Sequence, residues 1–92
     1  MTQQLTDNYI KALYLKSKDN YRNGYNYNII AKLISIDKTT GVNIMHYLSG
    51  KGLISTNSNF GENISLTSEG IDYVNKLKEN KIFKTIRFKK AD

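Results

Sequence analysis

Residues 30–40 read IAKLISIDKTT, and this stretch narrows the possible folds more than any other. An apolar helical pattern runs up to Ile34 and Ile36. It stops at a short polar break, and a second apolar pattern, Ile44, Met45 and Leu48, begins almost at once. Asp37 suits the start of the second helix, because its carboxylate can accept from a first-turn amide and complements the helix dipole. A turn this short fixes the angle between the two helices, and Ala31 is small where they must cross closely. Helical periodicity makes Ile44, Met45 and Leu48 the buried stripe, with Lys38, Thr39, Thr40, Asn43, His46 and Tyr47 facing outward.

The flanking segments supply partners for that pair. Residues 3–18 read as a helix, with Leu5, Tyr9, Ile10, Leu13 and Tyr14 mostly on one face. SKDNYRNGYNYN then breaks the pattern, and Tyr25 and Tyr27, alternating with Asn, suit a very short strand. The next helix runs from about Asn28 to Leu33 or Ile34, with Asn26 or Asn28 as N-cap. The helix after Asp37 extends to about Ser49, where Gly50 and Gly52 supply the stop. Two alternating segments, Leu53–Thr56 and Asn63–Thr67, flank an Asn-, Ser- and Gly-rich turn and predict a hairpin sealed by Leu53, Ile54, Ile64 and Leu66. TSEGIDYVNKLKEN predicts a last helix capped by Thr67 or Ser68, with Ile71, Val74 and Leu77 inward.

Helix, short strand, helix, tight turn, helix, hairpin, helix is the order of winged helix–turn–helix domains. On IAKLISID, IMHYLSGKGLI and ISLTSEG, over roughly residues 5–80, the chain resembles that superfamily, nearest in style to MarR- and PadR-type regulators. The resemblance implies an α+β fold: a three-helix core, a small antiparallel β-hairpin wing and a C-terminal helix. It also implies double-stranded DNA as the partner, read in the major groove by residues 38–49, with Lys38, Thr39, Thr40, Asn43, His46 and Tyr47 as base or phosphate contacts. Asn57, Asn59 and Asn63 would be weaker wing contacts. Two features depart from the family pattern. Gly41 stands where a small apolar residue is usual, and glycine inside a helix costs about 1 kcal/mol relative to alanine. Residues 55–65 hold no Lys or Arg, so the charge-driven part of wing binding is absent.

The chain carries a formal charge of +6, unevenly placed. Residues 1–75 hold seven basic and six acidic side chains, and residues 76–92 hold seven and two. The organisation expected is a winged-helix domain over residues 1–80 and a basic tail over 81–92. Lys81, Lys84, Arg87, Lys89 and Lys90 of the tail would meet phosphates, while Ile82, Phe83, Ile86 and Phe88 suit a dimerising arm. A homodimer is expected, since one recognition helix reads too few bases for strong selectivity.

Other functions find little support. The 92 residues contain no cysteine, one histidine and no glycine-rich phosphate loop, so neither catalysis nor a cofactor is expected. His46 alone makes no metal site. With no signal peptide and no membrane-length apolar run, a cytoplasmic domain is expected. Abundant Asn, Lys, Ile and Tyr, all with A/T-rich codons, suit a bacterial, phage or plasmid control protein. Two alternatives stay open. The near-neutral body and uncharged wing suit a protein–protein interaction module. Tyr21, Tyr25 and Tyr27, with the basic tail, suit a single-stranded nucleic-acid binder, although tyrosines in such loops more often pack over a core edge.

Overall fold

The computed structural model describes residues 3–56 and 63–78. Helix α1 spans Gln3–Lys16, strand β1 Tyr25–Asn26, helix α2 Tyr27–Leu33 and helix α3 Lys38–Gly50. Strands β2 (Ile54–Thr56) and β3 (Asn63–Leu66) follow, and helix α4 occupies residues 68–78. The fold is an α+β winged helix–turn–helix.

α1 ends at Lys16, two residues earlier than its periodicity predicts. Ser17 is buried there, its amide and hydroxyl both donate to the Leu13 carbonyl, at 3.0 and 2.7 Å, and the chain then turns through a bond from the Asn20 amide to the Ser17 carbonyl. α2 is capped by Asn26, whose side chain accepts from the Asn28 amide at 2.8 Å. α3 is capped by Asp37, which accepts from the Thr40 amide at 3.2 Å.

Both helices of the central pair end in the same way. At the end of α2 the Ile36 amide reaches the Ala31 carbonyl and the Ser35 amide reaches Lys32, with Ser35 left-handed at φ 60°. At the end of α3 the Leu53 amide reaches Leu48 and the Gly52 amide reaches Ser49, with Gly52 at φ 76°. These are Schellman closures, which satisfy the last carbonyls of each helix and reverse the chain sharply. Gly52 is therefore the stop, while Gly50 remains the last helical residue.

The crossing of α2 and α3 explains Gly41. A Cβ built there would stand 2.9 Å from the Ala31 Cβ, so only glycine against alanine allows this approach. α3 runs unbroken through Gly41. Gly70 is fixed in a similar way, since a Cβ there would collide with the Leu53 carbonyl oxygen. Thr67 caps α4 by accepting from the Gly70 amide at 3.0 Å, and its hydroxyl donates to the Gly52 carbonyl at 2.7 Å.

The sheet has the order β1-β3-β2, antiparallel throughout. Ile54 faces Leu66 and Thr56 faces Ile64, while Tyr25 and Asn26 pair with Ile64 and Asn63 on the other edge of β3. One core joins all the elements: Tyr9, Ile10 and Leu13 of α1, Ile30 and Ala31 of α2, Ile44, Met45 and Leu48 of α3, Ile54, Ile64 and Leu66 of the sheet, and Val74 of α4. Tyr9 is fully buried and its hydroxyl donates to the Tyr27 carbonyl at 2.8 Å, which ties α1 to the start of α2.

Candidate nucleic-acid interface

α3 presents its polar side to solvent because its apolar side is fully used. Gly41, Ile44, Met45 and Leu48 are buried. At about 100° per residue, the opposite side is centred on Thr39, Asn43 and His46, and all three are exposed, as is Lys38. A hydroxyl, a carboxamide and an imidazole along two turns form a row of donors and acceptors of the kind that reads base edges. Val42 and Ser49 border this row on one shoulder. Val42 is half-buried there and Ser49 exposed.

The other shoulder carries Thr40 and Tyr47, and neither simply extends the row. Thr40 is half-buried. Its amide donates to the Asp37 carboxylate at 3.2 Å, and its side chain and this amide together hold the Asp37 carboxyl below the usual carboxylate range. Thr40 is thus engaged in the helix cap through its amide. Asp37 also sets a negative charge against the positive end of the α3 dipole, where a phosphate would otherwise be drawn. Tyr47 leans towards a groove lined by Gln3, Lys51, Leu53 and Tyr73, and the Lys51 ammonium lies 5.6 Å from its ring centroid. The structure therefore brings Lys38, Thr39, Asn43 and His46 together and leaves Tyr47 at the α1–α4 margin.

Of the wing residues, Asn63 is exposed at the root of β3, opposite Asn26. Asn57 and Asn59 lie outside the described residues, as do Lys81, Lys84, Arg87, Lys89 and Lys90. Tyr21, Tyr25 and Tyr27 are half-buried against the core. The Tyr21 ring packs on Tyr14 with centroids 5.2 Å apart, so this cluster braces the loop more than it offers open faces for stacking. Among the described residues no group of His, Cys, Asp and Glu side chains could hold a metal ion. Among them, too, no helix is long and apolar enough to cross a membrane.

No protein-family model and no curated protein sequence matches the chain. Among solved structures it is similar to the crystal structure of MepR, a transcription regulator of the Staphylococcus aureus multidrug efflux pump MepA. That likeness has a TM-score of 0.73 at 25% identity, over 97% of this chain and 64% of that one. A point mutant of S. aureus MepR matches with a TM-score of 0.69 at 23% identity, over 97% of this chain and 65% of that one, and supports the fold alone. The chain thus spans slightly less than two thirds of the length of these structures.

Proposed function

We propose, from the premise that the chain is a winged helix–turn–helix domain with MarR-family structural neighbours, that it regulates transcription by binding double-stranded DNA, with α3 in the major groove. The observation that carries this reading is the exposed row Thr39, Asn43 and His46. It stands opposite the buried stripe of α3 and is braced from behind by α2 across the Gly41–Ala31 contact.

In this reading Asn43 sits at mid-row, where a carboxamide can pair in two-pronged fashion with adenine, and Thr39 and His46 flank it. Lys38 supplies charge at the phosphate. Thr40 keeps the start of α3 in shape through its cap to Asp37. Residues 1–75 hold seven basic against six acidic side chains, so non-specific affinity falls to the lysines and arginine of the tail. The protein acts as a homodimer, whose two α3 helices meet half-sites one helical turn apart. The structural neighbours are transcription regulators, in keeping with a domain that binds and does not catalyse.

The test is enrichment of sequences from random duplex DNA, followed by titration of the selected site across salt. The expected result is a motif with paired half-sites. Asn43→Ala should weaken the selected site by about 1–3 kcal/mol while leaving random-sequence binding almost unchanged. Weak, unselective binding that vanishes in moderate salt, the same for wild type and Asn43→Ala, would overturn the reading.

A further inference from the structure

Three of the chain's large apolar side chains remain in water on the side formed by α1 and α2. Leu15 is 63% exposed, Leu33 55% and Ile29 44%. Ile29 and Leu33 are one turn apart on α2 and so share a face. Beside them runs a concavity of about 600 Å³, with Lys11, Ala12, Leu15 and Lys16 of α1 on one side and Leu33 and Ile34 at the end of α2 on the other. Its floor is apolar. Its charged lining is Lys11 and Lys16, and among the described residues no carboxylate lines it. Leucines this exposed beside a groove mark a surface that something covers, and the cations state which charge the occupant carries.

We infer that this groove docks an acidic amphipathic helix of a partner protein. Its leucine-like side chains would lie between Leu15 and Leu33, and its carboxylates would face Lys11 and Lys16. A helix laid in an apolar groove with charges at the rim is a recurrent mode of recognition. Charge argues against the two occupants nearest to hand. A second copy docked symmetrically would set Lys11 and Lys16 against the same lysines, because a two-fold interface is self-complementary. The chain's own residues 81–92 carry five cations and one carboxylate and would meet like charge. The surface stands apart from the outward row of α3, so the inference does not depend on the DNA reading.

The experiment titrates the full chain with three synthetic helical peptides: one with a leucine face flanked by glutamates, one with lysines in place of the glutamates, and a scrambled acidic control. Binding is followed by calorimetry and by backbone amide shifts. The leucine–glutamate peptide should bind at least tenfold more tightly than either of the others, with shifts centred on residues 8–16 and 29–34. Leu15→Ser with Leu33→Ser, both at exposed positions that leave the core intact, should weaken it at least tenfold. Lys11→Glu with Lys16→Glu should reverse the preference in favour of the lysine peptide. Equal binding of acidic and basic peptides, shifts elsewhere, or no binding at millimolar peptide overturns the inference. So does a leucine double variant that converts a dimer to a monomer in sedimentation, which would assign the groove to a second copy.

Discussion

At Ser35 the backbone takes φ 60°, a conformation in which a side chain crowds the following carbonyl. The Schellman closure of α2 requires it, and the exposed Ser35 side chain makes no contact that compensates. Ser35→Gly should therefore raise stability by about 0.5–1 kcal/mol, since the relief of strain exceeds the extra freedom gained by the unfolded chain. Thermal unfolding should show a midpoint a few degrees higher, and a lower midpoint would contradict this account. Serine gives no signal for the left-handed region, so this residue was invisible in the sequence, whereas Gly52 announced the matching position after α3. Asp37 and Asn26 were legible as caps because a short side-chain oxygen before a helix has one obvious use. The engagement of Thr40 with Asp37 was not, because periodicity assigns a side chain to a face and says nothing of its rotamer.

Helix α3 can present its polar row only if α2 lies close beneath it, and the spacing is set where Gly41 meets Ala31. An added methyl at Gly41 would stand 2.9 Å from a Cβ that cannot swing aside, so the helices must part. Gly41→Ala should cost about 1–3 kcal/mol through overpacking, outweighing the helix-propensity gain of about 1 kcal/mol. Restoring the space with Ala31→Gly in the same chain should make the double variant more stable than the sum of the two single effects, a coupling readable in denaturant melts. The small residue at 31 was legible as a crossing point. At 41 the glycine looked like a departure from pattern, and only the crossing geometry makes it a requirement. The elements themselves followed from periodicity and caps. What the sequence did not contain was the pairing of β1 with β3, because two residues carry no alternation that selects a partner strand.

Across the whole molecule the first and last described helices are clasped near the groove beside Tyr47. Tyr73 of α4 donates to the Asp7 carboxylate at 2.6 Å, and Gln3 reaches both Asp7 at 2.9 Å and the Tyr73 hydroxyl at 3.0 Å. Burial first, and then the bond to Asp7, push the Tyr73 hydroxyl from 10.0 up to about 12. The fold thus favours the protonated phenol. Its stabilising effect is complete below pH 10 and is lost as pH rises towards 12. Tyr73→Phe should be less stable than wild type at pH 8, and the gap between them should close between pH 10 and 12 in paired denaturant melts. A gap that widened with pH would contradict the clasp. Gln3 and Asp7 are one turn apart on α1, but Tyr73 lies so far along the chain that no local pattern could have joined it to them. Asn26 makes a different connection. It caps α2 through its side chain and pairs with Asn63 of β3 through its backbone, so a single residue belongs both to the scaffold beneath α3 and to the root of the wing. Any separation of β3 from β1 also loosens the first turn of α2, so in the proposed DNA complex α3 and the wing would tighten or slacken as one.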